Sequence, residues 1–361
     1  MRVGPLQATQ IGAIALAAIR YGADGYFGYP ITPQSEVMET LMEEMPWETT
    51  GMVVLQAESE TSSINMLYGG ACCGKKVMTS SSSPGISLMC EGISYMAGAE
   101  LPCLVVDVIR GGPGLGTIQP AQGDYFQAVK GGGHGDYKII VLAPASVQEM
   151  YDFVGLGFDL AFKYRNPVMI LSDGAIGQMM EKVELRDPVR RLTDKEITEK
   201  YGHWATVGKP ASRKGNIISS LSLAASEMEA INLRLQAKYQ KMRENEVRFE
   251  KTMCDNAEYL LVAFGSSARI CEGTLEIARS KGIRMGLLRP ITLFPYPETA
   301  IREMLPQLKG IMSVELNAGQ MVEDVRLAVN GAVPVEFYGR MGGSIFSPEE
   351  VFEAFAKKFN L

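Results

Sequence analysis

The sequence predicts an α/β fold: a parallel sheet with helices on both faces, followed by a smaller C-terminal α/β unit. Three observations carry this. Short apolar runs alternate with helix-like segments from YFGYP (26–30) to PVMILSD (167–173), the rhythm of a parallel sheet. After Asp187 the composition shifts, and residues 188–216 are polar and broken by Gly and Pro. The strand–helix alternation then resumes at YLLVAFGSS (259–267). The expected division is a first domain over 1–187, a linker and amphipathic helix over 188–255, and a second domain over 256–361 of ordinary domain size.

Element by element, residues 6–21 read as a helix with Gly22 as its stop. The run IGAIALAAI behind Arg2 imitates a secretory leader, but nine apolar residues are too few to cross a bilayer and no A-x-A site precedes the first strand. A buried helix is expected instead. YFGYP is a short strand ending at Pro30, and Pro33 stands where it can open the next helix. MVVLQA (52–57) has the apolar character of a buried strand, with a helix from Thr61 to Gly70 behind it. KVMTSSSSPG forms a strand and turn before the helix ISLMCEGISYMAGAE (86–100). LPCLVVDVIRGGPGLG repeats that pattern with a longer Gly-rich turn, and KIIVLAP, a helix through Phe162, and PVMILSD complete the set.

Leu221, Ala224, Met228, Ile231, Leu235, Tyr239 and Met242 recur at steps of three and four, which predicts one amphipathic helix. Its stripe is short for a coiled coil and suits a helix lying on a domain. RMGLLRP, GIMSVELNAGQ and VPVEFYG supply further strands of the second domain. The turn FGSS (264–267) suits either an anion at a helix N-terminus or a simple cap, and caps are the commoner use.

With 35 basic residues against 41 acidic ones the chain carries −6, so there is no general nucleic-acid footprint. The six cysteines (Cys72, Cys73, Cys90, Cys103, Cys254 and Cys271) form no C-x-x-C pair, and His134 and His203 are the only histidines. No local motif therefore assembles a zinc or iron–sulfur site. The expectation is a reduced, cytoplasmic chain whose redox metal, if any, sits on another polypeptide.

In an open parallel sheet the strand-to-helix turns share the carboxyl edge, where ligands bind. GYPITPQSE (28–36), QAESETSSINMLYGG (56–70) and MTSSSSPG (78–85) are such turns. Glu58 and Glu60 enter a helix at that edge. A carboxylate in an apolar crevice can exchange a proton with a bound heterocycle, and a capping carboxylate at the helix start is the competing reading for both. Thr32, in a Pro-framed turn, offers either a ligand-facing hydroxyl or a cap. Arg110, at the end of LVVDVI, suits a planar carboxylate gripped by two parallel hydrogen bonds, or an ion pair with an internal acid such as Asp107. GGGHGD (131–136) is no Walker loop and RGGPGLGT (110–117) is no dinucleotide fingerprint.

FGYPITPQSE (27–36), the stretch from Val53 to Pro102, RGGPGLGTIQPAQGDYFQAVKGGGHGDY (110–137) and ELNAGQMVEDVRLA (315–328) together identify a family. The chain resembles the alpha subunit of 2-oxoacid:ferredoxin oxidoreductases, most closely the 2-oxoisovalerate (3-methyl-2-oxobutanoate) type, over nearly its whole length. The resemblance implies a thiamine-diphosphate-binding-type pyrimidine domain and a transketolase-C-like second domain. It implies oxidative decarboxylation of a branched-chain 2-oxoacid, with electrons passing to ferredoxin and the acyl group to coenzyme A. The diphosphate and Mg²⁺ belong to a beta subunit, and iron–sulfur clusters to gamma and ferredoxin-like delta subunits. The diphosphate signature, G-D-G with a later Asn, is absent here; the nearest string is SDGAIG (172–177). This chain alone is expected to be inactive.

By the same resemblance a glutamate nine residues before a helix glycine touches N1′ of the aminopyrimidine. Glu60 to Gly69 has that spacing and Glu58 does not, so Glu60 is the choice and Glu58 the reserve. Thr32 and Arg110 would hold the substrate carboxylate, while Pro30, Ile31, Ser83 and Gly85 would line the cofactor. Two other readings stay open: a transketolase-like or non-oxidative decarboxylase subunit, and a non-catalytic scaffold that keeps the fold.

Overall fold

The structure, a computed structural model, describes residues 6–177, 180–209, 211 and 214–361. The first half runs β1 (Leu6–Thr9), α1 (Gln10–Arg20), β2 (Gly25–Gly28), α2 (Glu36–Glu44), α3 (Pro46–Thr49), β3 (Val53–Gln56), α4 (Glu60–Cys72), β4 (Val77–Ser81) and α5 (Ser83–Gly98). It continues through β5 (Cys103–Ile109), α6 (Tyr125–Val129), β6 (Ile140–Leu142), α7 (Val147–Tyr164), β7 (Pro167–Asp173), α8 (Gly174–Gly177) and β8 (Met180–Val183). Next come α9 (Asp194–Tyr201), α10 (Ala225–Asn245), β9 (Phe249–Thr252), β10 (Tyr259–Val262), α11 (Gly265–Ser280), β11 (Met285–Pro290) and β12 (Thr292–Phe294). The chain closes with α12 (Glu298–Met304), β13 (Gly310–Glu315), α13 (Met321–Val329), β14 (Val335–Gly339) and α14 (Pro348–Phe359).

A seven-stranded sheet has the order β12-β6-β7-β5-β4-β2-β3, and a five-stranded sheet the order β14-β13-β10-β11-β9. Pairing is parallel except at β12 against β6 and β9 against β11. The central strands β4, β5 and β7 are buried along their whole length, as both-face coverage by helices demands of a parallel sheet. The α/β architecture expected from the alternation is therefore the one observed.

Several elements differ from expectation. Leu6–Thr9 is a strand, not the first turn of a helix, because it pairs antiparallel with Met180–Val183, a partner too distant in sequence for any local pattern to reveal. Gly22 does stop the helix, at φ +70°. Pro33 does not open α2: the Thr32–Pro33 bond is cis and the helix begins at Glu36, behind Ser35. β3 is not a buried strand. It is the outer edge of its sheet, with Val53 49% and Leu55 39% exposed.

The polar stretch after Asp187 contains α9, started by a capping box between Thr193 and Glu196. The amphipathic helix begins later than its apolar spacing suggested, at Ala225, and only Leu235, Tyr239 and Met242 on it are buried. Leu221 precedes it and is exposed.

We propose that the division at 1–187, 188–255 and 256–361 describes the chain, with two strands crossing it. β9 lies in the segment expected to be linker yet joins the second sheet. β12, from the second half of the chain, closes the edge of the first sheet. Among the described residues no helix is long and apolar enough to cross a membrane, and no group of three or more His, Cys, Asp or Glu side chains is arranged to hold a metal.

Candidate functional site

Three turns at the carboxyl edge of the first sheet bring the candidate residues together. The first follows β2. Gln34, 1% exposed, donates to the Tyr29 carbonyl at 2.9 Å and accepts from Ser80 Oγ at 2.6 Å, and Ser80 also meets the Tyr26 hydroxyl at 2.8 Å. This buried network fixes the loop carrying Pro30, Ile31 and Thr32. Pro30 and Thr32 are exposed on it, and Ile31 is half-buried. The Thr32 hydroxyl caps no helix, since the residue ahead of α2 is Ser35.

The second turn follows β3. Ser59, not a glutamate, caps α4 by accepting from Ser62 N at 3.1 Å. That separates the two acids. Glu58 is exposed, whereas Glu60 is 5% exposed and accepts no hydrogen bond from any described residue. Its carboxylate lies against Gly85, where a Cβ would stand 2.6 Å from Glu60 Oε1 and 2.0 Å from Ser81 Oγ. Only a residue without a side chain fits between them. Gly69, nine residues on from Glu60, is exposed with open space above it.

The third turn follows β5. Arg110 Nη1 donates to the Thr32 carbonyl at 3.0 Å and Nη2 to the Leu115 carbonyl at 3.1 Å, while its buried Nε–H has no partner among the described residues. Arg110 is thus not paired with Asp107, and each terminal amine keeps a second hydrogen for a ligand. The loop beyond it closes tightly: Gly111 N donates to the Gln119 carbonyl at 2.9 Å, and a Cβ on Gly116 would stand 1.8 Å from the Gly111 carbonyl oxygen. Ser83 joins this turn to α5. Its hydroxyl donates to Asp124 Oδ2 at 2.5 Å and accepts from Arg110 N at 3.1 Å. Ser83 and Arg110 line a cavity of about 450 Å³ with Asp124, and the second domain closes it with Asn317, Gln320 and Met341. A larger cavity of about 600 Å³, around Phe294 and Tyr296, shares no residue with it.

The two domains are joined beside that cavity by residues the sequence reading passed over. Gln122 is fully buried; its Nε2 donates to the Phe264 carbonyl at 2.8 Å and to Asp173 Oδ2 at 3.1 Å. Its Oε1 accepts from Ser267 Oγ at 2.8 Å and from Leu316 N at 3.1 Å. Asp173 Oδ2 also accepts from Ser266 N at 2.9 Å, so the α11 N-terminus does meet an anion, one supplied by the chain itself. Glu315 in turn takes the N–H groups of Gln320, Met321 and Val322 at the start of α13. The QGD and ELNAGQ stretches are two sides of one joint. Only their contact in space reveals it.

A family model described as "Pyruvate flavodoxin/ferredoxin oxidoreductase, thiamine diP-bdg" matches residues 16–245, and one described as "Pyruvate:ferredoxin oxidoreductase core domain II" matches residues 257–351. The chain belongs to the 2-oxoacid:ferredoxin oxidoreductases. Within that family it is 49% identical over 341 residues to the ketoisovalerate oxidoreductase subunit VorB of Methanothermobacter thermautotrophicus, covering 94% of each chain. It is 35% identical to the 2-oxoglutarate synthase subunit KorA of Methanocaldococcus jannaschii, covering 98% of this chain and 99% of that one. A solved 2-oxoglutarate:ferredoxin oxidoreductase from Magnetococcus marinus, with 2-oxoglutarate, coenzyme A and succinyl-CoA bound, superimposes with a TM-score of 0.86 at 26% identity. This oxidoreductase subunit is covered to 99% in that match and spans 65% of the solved chain. A split-gene transketolase shares the fold alone, at 12% identity and a TM-score of 0.60.

Thiamine diphosphate is the cofactor of this oxidoreductase family domain, and the residues present suit its pyrimidine end. The Glu60 carboxylate is buried against Gly85 with no hydrogen-bond partner among the described residues, and a carboxylate so placed can exchange a proton with a bound heterocycle.

Proposed function

We propose that this chain supplies the aminopyrimidine half of a shared thiamine site in an enzyme that oxidatively decarboxylates a branched-chain 2-oxoacid. One observation carries the reading: Glu60 is buried, without a hydrogen-bond partner among the described residues, and pressed against Gly85 at the carboxyl edge of the sheet. The bound cofactor supplies the nucleophilic carbon and the electron sink for decarboxylation. Glu60 holds the proton exchanged with the pyrimidine ring; Ser83, Gly85, Pro30 and Ile31 shape the wall around it. Arg110, steadied by the Thr32 and Leu115 carbonyls, presents its remaining N–H groups to the substrate carboxylate beside the Thr32 hydroxyl.

The rest of the reaction belongs to partners. A beta subunit carries the diphosphate-binding domain and Mg²⁺, gamma and delta subunits carry the iron–sulfur path to ferredoxin, and coenzyme A accepts the acyl group in the cytoplasm. The bare edge strand β3, with Val53 and Leu55 exposed, continues into exposed Met66 and open Gly69 on α4. An apolar sheet edge beside half a site suits a subunit that brings the other half. Preference for 2-oxoisovalerate rests on the 49% identity to ketoisovalerate oxidoreductase subunits.

The test is turnover of a panel of 2-oxoacids by the complete complex, with coenzyme A and a dye acceptor. Branched-chain acids are expected to lead, and Glu60→Gln to abolish decarboxylation while the subunits still co-elute. Near-normal turnover by Glu60→Gln would remove the assignment.

A further inference from the structure

Asp107 sits in the middle of β5, in register with Ser81 of β4 and Leu171 of β7. It is fully buried, and neither carboxylate oxygen has a hydrogen-bond partner among the described residues. Its neighbour is a second carboxyl group, that of Asp124, which is already the acceptor for the Ser83 hydroxyl at 2.5 Å. Two ionised carboxylates offer acceptors and no donor, so their contact leaves Asp107 unsatisfied in a place water does not reach. A single proton changes this: one acid becomes an O–H donor to the other, and the orphaned oxygens gain a partner.

We propose that Asp107 and Asp124 hold one proton between them and act as a positioning pair that sets Ser83 and, through it, the backbone of Arg110. The hydrogen-bond directions run one way. Protonated Asp107 donates to Asp124; Asp124, still an anion, accepts from the Ser83 hydroxyl; Ser83 Oγ then accepts from Arg110 N at 3.1 Å. Asp124 and Arg110 both line the cavity between the domains. The shared proton therefore also keeps the pair at a single negative charge on the wall of the cavity that Arg110 helps to line. Losing it sets two like charges against each other at the root of that cavity.

The surroundings favour the proton. Burial, and then the Asp124 charge, push the Asp107 carboxyl well above the usual carboxylate range, outweighing the opposing pull of the nearby Ser83 backbone N–H. Burial likewise raises Asp124, although the Ser83 and Asp107 hydrogen bonds pull it down. On α5 the half-buried Cys90 thiol is raised, first by burial and further by these two acids. On α4 Glu60 faces Ser81, the register partner of Asp107. On β7 Asp173 is held by Gln122 and Ser266 N. The cation nearest along the chain, Arg110, is turned to the Thr32 and Leu115 carbonyls. Among the described residues no cation is hydrogen-bonded to either acid, so none offsets a second negative charge on the pair.

The kinetic consequence rests on Arg110 as the carboxylate clamp proposed above; the proton itself does not. The experiment is infrared spectroscopy of the complete complex carrying this subunit with ¹³C-labelled aspartate carboxyls, together with the pH dependence of KM for the 2-oxoacid. A protonated aspartate band is expected at pH 7, absent in both Asp107→Asn and Asp124→Asn. KM should rise at least threefold at pH values where that band disappears, and Asp107→Asn, which keeps the donor but has no proton to lose, should flatten the rise. No protonated band at pH 7, or one surviving in both variants, overturns the proposal, whatever Arg110→Ala does to KM. A band without any alkaline rise in KM overturns the positioning role.

Discussion

A Cβ on Gly85 would stand 2.6 Å from Oε1 of Glu60. The glycine is therefore a condition for where the carboxylate lies. Gly85→Ala is expected to push Glu60 and Ser81 aside, costing roughly 1–3 kcal/mol of stability as an overpacked site does. The larger effect is catalytic, since about 1 Å of misplacement costs on the order of 10²-fold in rate. Thermal melts and kcat of the complete complex check this; a variant that turns over normally would show that Glu60 can work from elsewhere.

Arg110 holds two backbone carbonyls with its terminal amines and keeps donors in reserve. Arg110→Ala is expected to weaken 2-oxoacid binding by about 1–3 kcal/mol, the loss of charge-assisted hydrogen bonds at a half-buried residue. Arg110→Lys should recover little of it, because an ammonium cannot bridge Thr32 and Leu115 while also forking a carboxylate. KM measured across the two variants decides. An unchanged KM in Arg110→Ala would move the carboxylate site away from this turn.

Gln122 serves four partners from a fully buried position. Gln122→Ala leaves the Phe264 carbonyl, the Ser267 hydroxyl and Leu316 N without it, and each buried group so stranded costs about 1–3 kcal/mol. A loss of at least about 3 kcal/mol is expected in urea unfolding, with the two domains melting apart. A shift under about 1 kcal/mol would show that water substitutes for the side chain.

Lys238 on α10 gives a pH-dependent check. Burial pushes its ammonium down to about 8, although the Glu100 carboxylate lies 3.3 Å away. Burial works to raise Glu100 as well, but Lys238 and Arg234 outweigh it and hold that carboxyl low. For Lys238 the folded value lies below that of a free lysine, 10.5. Between those two pH values the unfolded chain binds a proton that the folded chain does not, so this group's contribution rises with pH there. Relative to Lys238→Met, the wild type should gain about 1–3 kcal/mol on going from pH 8 to pH 10. Parallel stability profiles would refute it.

Local pattern carried the sheet and its helices because parallel strands buried on both faces are near-continuous apolar runs, as in Cys103–Ile109. It also placed Thr32, Glu60 and Arg110 at one edge, since strand-to-helix turns share an edge whatever the order of strands. What it missed depends on partners far away in sequence. Leu6–Thr9 looked helical until Met180–Val183 was beside it. Gln122 lies in a stretch that carried the family resemblance, but its role shows only with Phe264, Ser267 and Leu316 around it. The choice between Glu58 and Glu60 had to rest on family spacing, because burial against Gly85 is a property of two turns and not of either alone.

Thr292–Phe294 returns from the second half of the polypeptide to finish the border of the first sheet beside Ile140–Leu142. The halves are laced rather than strung in sequence. A fragment cut before residue 256 would leave that border bare, with the backbone N–H and C=O groups of Ile140–Leu142 on that side open to pairing with another chain. Grafting the C-terminal half of a relative onto this one would likewise succeed only if the donor brought a matching strand, which makes the pair a single inheritable piece.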